Sequence, residues 1–459
     1  MRKLVKRTAT LLLLFLPQIL QSQNYPTEED IFDVLKSEVD HKRSNSIVVG
    51  VIDQGVTHYV AYGKPIEGSD LGANEKTIYE IASITKVFVS TLLSKFILNG
   101  KIGLDDPMVN YLPDTLKYMD HRYREVTIKH LATHTSGLPI VTGAQNAESR
   151  QQFHKNLSYK DIFEAFEKTE ISFTPGTRFE YTNINMSVVA FILCSLEDKD
   201  METLMNEYIY EPFEMKNTTL TLSEEQKKRF ATAYIRPGVA VENWEWGAGA
   251  GAGGLRSTAE DLILFLRKLF YEESGLSDAA QYAIKVQQDS TMFKGTKIGL
   301  GWFITEFGER TWVGHSGTAR GFKSFLLYDL KSERGAVVLS NSPVDVSDIG
   351  FFLFDKERTI KEYKAPKIKK PDEDLISKTE GAFLVTLNDQ SDTAYFYQRG
   401  DWFFVFSSRT GEDELLYQKG ESFYFPQLNT NIQFEDFRNN KFHSLKGIEM
   451  KTLTGKRIR

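Results

Sequence analysis

Apolar positions along the chain repeat at two periods. Ile31, Val34, Leu35 and Val39 fall near helical spacing and predict an opening amphipathic helix over Asp30 to Val39. Ser46 to Ile52 and Thr57 to Tyr62 are β-branched and aromatic runs on either side of Asp53-Gln54-Gly55, which predicts a hairpin with a glycine turn. Helical patterns then occupy 83–99, 159–168, 186–209 and 258–270. The last opens on Ser257-Thr-Ala-Glu260, read as a capping box in which the Ser oxygen and the Glu carboxylate satisfy free amides of the first turn. Strand-like runs return at Gly299 to Phe307, Thr311 to Gly314, Lys323 to Tyr328 and Gly335 to Leu339. Strands at both ends of a helical middle predict an α/β (α+β) domain whose single antiparallel sheet is closed by its two ends.

From Lys361 to Asp374 the composition shifts to Lys, Pro and Glu, and Pro366 and Pro371 prevent a regular helix. Beyond it, Tyr395-Phe-Tyr397, Trp402 to Phe406, Glu414 to Tyr417, Phe423-Tyr-Phe425 and Ile432-Gln-Phe434 are short aromatic strands at regular spacing. They predict a small all-β C-terminal domain, a barrel or a sandwich. At the other end, Arg2, Lys3, Lys6 and Arg7 precede an apolar run, Leu11 to Leu20, and then Gln21-Ser22-Gln23. That order is that of a cleaved export signal, and the run is far short of the roughly 20 residues of a membrane span. The expected organisation is a signal over 1–23, a main domain over 24–360, a linker over 361–373 and a β domain over 374–459. The mature protein is expected in the bacterial periplasm or secreted, with no membrane span.

Composition narrows the partners more than the fold. The 459 residues carry 56 Lys+Arg against 62 Asp+Glu, a formal charge of −6, so there is no electrostatic footprint for nucleic acid. The one cysteine, Cys194, lies in the apolar run Val188 to Leu196 and forms neither an internal disulfide nor a cysteine metal cluster. Nothing in the sequence sets an oligomeric state.

Ser83-Ile-Thr-Lys86 stands where an extended segment enters a helix. A Ser in the first helical turn lies in the field of free backbone amides, and a Lys three residues on shares its face. That brings an amine within reach of a hydroxyl, which a nucleophilic Ser needs near neutral pH. The spacing alone arises by chance about once or twice in a chain of ordinary Ser and Lys content. Tyr181-Thr-Asn183 is placed on a loop entering the helix from Met186, and His315-Ser-Gly317 between a Trp-containing strand and Thr318 to Phe322, where Gly317 permits close approach of a ligand. Taken singly, Tyr181 also fits a packed aromatic and His315 a structural imidazole.

Together these stretches resemble the penicillin-recognising serine hydrolases, the group of class C β-lactamases, serine DD-peptidases, D-aminopeptidases and related esterases. The resemblance runs from about Ile31 to Val344. It includes Glu80 to Lys86, Thr127 to Pro139, Pro175 to Asn183, Gly253 to Leu262 and Gly314 to Gly317, in the family's order. It implies the β-lactamase/DD-peptidase-like fold, with a helical subdomain beside the sheet. It also implies an acyl-enzyme on Ser83 in the hydrolysis of an amide or ester: a D-amino-acid peptide, a β-lactam or a small ester. Lys86 and Tyr181 would share the proton transfers, the Lys86 ammonium favouring a Tyr181 phenolate, with the base of acylation left open between the two. Asn183 would hold Lys86 and a substrate amide, the backbone amides of Ser83 and Thr318 would form the oxyanion hole, and His315, Ser316 and Gly317 would line the substrate strand. No cofactor and no metal are implied.

His315 departs from the Lys that class C β-lactamases usually carry there. A neutral imidazole is a weaker anchor for a β-lactam carboxylate, and the motif looks more like those of DD-peptidases, D-aminopeptidases and esterases. The alternative function is a non-catalytic penicillin-binding, sensor-like or envelope-binding protein that keeps the fold. His130 and His134 lie at metal-ligand spacing but have no partner carboxylate helix. The run Gly247 to Gly254 lacks the Lys-Ser/Thr of a phosphate loop and reads as a flexible loop at the site's mouth, with Trp244 and Trp246 before it.

Overall fold

The computed structural model describes residues 24–113, 121–143, 149–236, 238–360, 369, 371–387, 390–408, 411–428, 430–448, 450 and 452–458. The predicted signal over 1–23 and most of the predicted linker over 361–373 lie outside the described residues.

Helix α1 (Glu28–Asp40) starts at a capping box of Thr27 and Asp30 and buries Ile31 and Leu35. Strands β1 (Ser46–Asp53) and β2 (Val56–Gly63) form the predicted hairpin. Four short strands follow, β3 (Tyr79–Glu80), β4 (Ala233–Arg236), β5 (Val239–Val241) and β6 (Arg256–Ser257), pairing β3 with β6 and β4 with β5. Strands β7 (Thr296–Ile298), β8 (Phe303–Phe307), β9 (Arg310–Ala319), β10 (Phe322–Asp329) and β11 (Arg334–Ser340) complete an antiparallel sheet in the order β2-β1-β11-β10-β9-β8-β7. The pairing of β1 with β11, Val49 opposite Val338, closes the domain from its two ends as the strand pattern predicts. Both faces are covered. Val48, Ile52, Val337 and Leu339 pack into the helical layer, whereas Val49, Val51, Phe325 and Val338 pack with Ile31 and Leu35 of α1. A period of two with both faces buried gives the near-continuous apolar runs of β1 and β11.

Between the sheet and the helical region runs α2 (Thr85–Leu98), buried around almost its whole circumference. Helices α3 (Ile128–Ala132), α4 (Tyr159–Lys168) and α5 (Asn183–Glu197) pack beyond it. Three local expectations are corrected. The predicted helix over 186–209 ends at Asp198, which takes φ 51, and a new helix starts at Met201 under an Asp200 cap. The cap predicted at Ser257 falls one residue later, with Thr258 Oγ1 accepting from the Asp261 amide at 3.1 Å, because Ser257 is engaged in β6. The run from Gly299 to Phe307 is extended only from Phe303.

The C-terminal strands β12 (Gly381–Leu387), β13 (Gln390–Arg399), β14 (Trp402–Ser407), β15 (Gly411–Lys419), β16 (Ser422–Phe425), β17 (Thr430–Arg438), β18 (Lys441–Gly447) and β19 (Thr454–Arg457) form a closed barrel in sequence order. One end is filled by Phe383, Phe403, Phe423 and Phe434, which share a core with Ile376 of the preceding helix, Glu373–Thr379. The outer wall of β13 to β15 lies on the sheet domain, with Phe406 5.8 Å from Phe153 and the guanidinium of Arg150 4.6 Å from the Tyr395 ring. Phe434 is buried against Phe383, Phe396 and Phe423 at 5.3 to 5.9 Å. Phe434→Ala is expected to destabilise the protein by about 3–5 kcal/mol. Denaturant unfolding of the full chain measures this, and a loss below about 1 kcal/mol would contradict a packed barrel core.

Candidate active site

The path of the chain into α2 sets the centre of the site. Ala82 adopts φ 46, a left-handed conformation that costs a non-glycine residue on the order of 1–3 kcal/mol. The turn Ala82–Ile84 then runs into α2, leaving Ser83 half-buried at its start. Lys86 is fully buried one turn on, and its Nζ lies 2.9 Å from Ser83 Oγ, 2.9 Å from Asn183 Oδ1 and 2.6 Å from the Ala252 carbonyl oxygen. Tyr181 approaches from the loop before α5, its hydroxyl donating to Ser83 Oγ at 3.0 Å and its ring centroid 5.0 Å from Lys86 Nζ. Thr182 caps α5 by accepting from the Ile184 amide, which puts Asn183 at the first position of the helix facing Lys86.

The third motif arrives on β9. A Cβ on Gly317 would fall 2.2 Å from the Ile81 carbonyl oxygen, so only glycine lets β9 lie this close to the segment leading into Ser83. Ser324 Oγ on β10 donates to the same carbonyl at 2.8 Å and fixes the contact. His315 is buried, Ser316 exposed and Thr318 half-buried, and Ser83, Tyr181, Asn183, His315, Ser316 and Thr318 line one cavity. Thr318 Oγ1 also accepts from Lys323 Nζ at 3.0 Å.

Burial dominates the electrostatics. Desolvation holds the Lys86 amine well below its ordinary range and raises the Tyr181 phenol. Both shifts favour the neutral amine and neutral phenol over the ammonium–phenolate pair that the resemblance implies. Burial, and secondarily the nearby Lys86, pushes His315 down to about 3, although its Nδ1–H donates to the Ser316 carbonyl at 2.6 Å. Among the described residues no helix is long and apolar enough to cross a membrane, and no group of three or more His, Cys, Asp or Glu is placed to hold a metal.

A β-lactamase family model matches residues 31–350. The chain belongs to the β-lactamase family. Within it, the D-alanyl-D-alanine-carboxypeptidase/endopeptidase AmpH of Escherichia coli K12 is 26% identical over 369 residues, 75% of this chain and 93% of that one. A β-lactamase of the same strain is 24% identical over 66% of this chain and 85% of its own. The solved structure of a class C β-lactamase mutant superposes with a TM-score of 0.62 at 18% identity, covering 69% of this chain and 92% of that one, and shares the fold. The matched span includes every site residue named above and ends before the barrel.

The family motifs do not include two elements of this site. The glycine-rich run is not a loop at the mouth: Ala250–Gly253 is a buried helical turn, and a Cβ on Gly251 would fall 2.3 Å from that of Ala190 on α5. That contact places the Ala252 carbonyl on Lys86, a role no side chain announces. His154 is buried against Trp246 at 4.2 Å, lines the cavity, and has no hydrogen-bond partner for either ring nitrogen among the described residues. Burial lowers it, like His315, to about 3. Trp244 and Trp246 line the same cavity. His130 and His134 serve separate contacts, His130 in the cap of α3 and His134 tilted against the Tyr181 ring at 4.4 Å.

A histidine whose folded pKa lies below its unfolded value stays neutral in the fold while the unfolded chain takes up a proton. Each of His154 and His315 therefore removes up to about 1.4 kcal/mol of stability per pH unit as pH falls from about 6.5 toward about 3. Histidine NMR should show both rings neutral from pH 7 down to about 4. A titration midpoint near 6.5 for either would contradict the burial argument.

Proposed function

We infer that the protein is an exported serine hydrolase, acting in the periplasm or outside the cell, that forms an acyl-enzyme on Ser83 and hydrolyses an amide or ester. The observation that carries this is the convergence of Lys86 Nζ and Tyr181 OH on Ser83 Oγ, at 2.9 and 3.0 Å. The hydrogen bonds around Lys86 support it as the base of acylation. A neutral amine has two N–H donors and one lone pair. Asn183 Oδ1 and the Ala252 carbonyl take the two donors, so the lone pair faces the Ser83 hydroxyl.

As Ser83 Oγ attacks the substrate carbonyl carbon, its proton passes to Lys86 Nζ. The backbone amides of Ser83 and Thr318 stabilise the oxyanion that develops. Collapse breaks the bond to the leaving group, which takes the Tyr181 phenolic proton, and the Lys86 ammonium restores that proton to Tyr181. In deacylation a water attacks the ester carbonyl, gives its proton to the same pair, and Ser83 recovers its hydroxyl.

His315 is neutral above about 3 and supplies no fixed cation for a substrate carboxylate. With Arg43 on the cavity wall paired with Glu38 and Asp348, and Lys323 donating to Thr318, this supports substrates with an uncharged reacting end, such as small esters and D-amino-acid amides, over anionic β-lactams. The resemblance to AmpH and to β-lactamases makes a D-alanyl-D-alanine peptide and a chromogenic cephalosporin the further probes.

Ser83→Ala should lower turnover of p-nitrophenyl acetate by at least about 10³-fold and abolish every acyl adduct seen by intact mass. Unchanged turnover would remove Ser83 from the mechanism. In the wild type, kcat/KM should fall on the acid side as Lys86 takes a proton, with its midpoint well below the ordinary lysine value of 10.5 because burial lowers it. His315→Asn should leave that midpoint in place, since His315 carries no proton to lose there. A midpoint that moves or vanishes would transfer the role of base from Lys86.

A further inference from the structure

The cavity that holds Ser83 does not end at the catalytic groups. It has a volume of about 560 Å³ and continues from Ser83 and His315 into the barrel, where Val385, Ala394, Val405 and Leu453 line it. Ligand sites generally fall between about 300 and 1,000 Å³, and an eight-stranded barrel is just wide enough to be filled by side chains or to hold one small ligand. This barrel is graded between those two states. Inward positions along β14 run Phe403, Val405, Ser407, and along β13 run Phe396, Ala394, Asp392, so large rings close the far end and small or polar groups stand toward the site. The mouth abuts the catalytic loop. Gln390 Nε2 donates to the Phe179 carbonyl at 3.5 Å, and Ser408 lines a small pocket together with Tyr181 and Asn183.

We propose that the barrel lumen binds the fatty-acyl chain of the substrate and presents its carbonyl to Ser83; the proposal rests on the hydrolase reading above. The lumen lining is aliphatic and aromatic apart from its mouth, where Asp392 is the one charged group among the described barrel residues that line the cavity. The carboxylate of Asp392 disfavours a free fatty acid whose head group lies at the mouth, and the basic groups on the cavity wall, Arg43 and Lys323, lie outside the lumen, Arg43 paired with Glu38 and Asp348 and Lys323 donating to Thr318.

The full-length protein is assayed on p-nitrophenyl acetate, butyrate, octanoate and dodecanoate. Burial of a methylene predicts a gain in kcat/KM of about fourfold per carbon, so burial of only the first three added carbons should already place octanoate at least about 30-fold above acetate before a plateau. Ala394→Phe and Val405→Trp, checked for folding by circular dichroism and thermal unfolding, should each bring the octanoate-to-acetate ratio to within about threefold of one. Independently of turnover, Ser83→Ala should bind the neutral fluorophore N-phenyl-1-naphthylamine saturably, and methyl laurate should displace it. A flat chain-length profile with Ser83-dependent acetate turnover present overturns the lumen assignment alone, as does a ratio that persists in a folded lumen variant. Saturable, displaceable binding without Ser83-dependent turnover of any ester upholds the lumen and overturns the hydrolase reading.

Discussion

Lys86 carries a charge-bearing group into a place with no counter-ion among the described residues. It is fully buried, it forms no ion pair among the described residues, and its partners are a hydroxyl, an amide oxygen and a backbone carbonyl. An ammonium in that setting would lose several kcal/mol of hydration without recovering it. Holding the amine neutral is the cheaper state, and it requires the partners to come from three separate parts of the chain. The helix bearing Ser83, the start of α5 and the glycine-rich turn must all meet at one atom. The positive φ of Ala82 and the close contact of Gly317 with Ile81 follow from the same demand, since they bring β9 against the turn that begins α2.

The barrel is joined to this assembly by buried charge. Glu412 on β15 accepts from Arg399 of the barrel at 2.6 and 2.8 Å and pairs with Arg320, just past β9, at 3.4 Å. Glu414, two residues on, pairs at 3.1 Å with Arg236, whose guanidinium also lies 3.8 Å from the Trp402 ring. Charges this well enclosed add little net stability, yet removing one partner leaves the other stranded. Their value here is register: acids at alternate positions of one strand must meet arginines on β4 and next to β9, which fixes the barrel mouth beside the loop that carries Tyr181.

How far this was legible in the sequence depends on what carried each feature. The sheet, α2 and the barrel strands were visible because side-chain periodicity reports which faces are buried. Ser83, Lys86, Tyr181 and Asn183 were visible because their chemistry needs particular side chains at particular spacings, and the structure brings them within hydrogen-bonding distance. What escaped were features carried by the backbone or by tertiary approach. The Ala252 carbonyl has no residue-type signature, and the glycines before it read as freedom when they serve close packing against α5. His154 is an isolated residue whose surroundings come from Trp244 and Trp246, some ninety positions away. The closure of the barrel and its meeting with the site depend on pairings no local pattern encodes.

The desolvation that lowers Lys86, the base of the proposed mechanism, acts across the whole cleft. Burial lowers the pKa of Lys86, His154 and His315 together, because each lies in surroundings too dry to favour a cation. A neutral His315 offers an anionic substrate no charge, the basic groups on the cavity wall being Arg43, paired with Glu38 and Asp348, and Lys323, which donates to Thr318. On the proposed reading binding energy then comes from apolar area and from hydrogen bonds that form as the carbonyl becomes tetrahedral. Aromatic walls at Phe303 and Trp246, and an apolar lumen continuous with the site, supply the first of these. On the proposed reading, substrate preference and basicity both follow from one property, the dryness of the junction between sheet, helices and barrel. Replacing His315 by a fixed cation would change both, by charging the substrate wall and by holding Lys86 still further from its ammonium form.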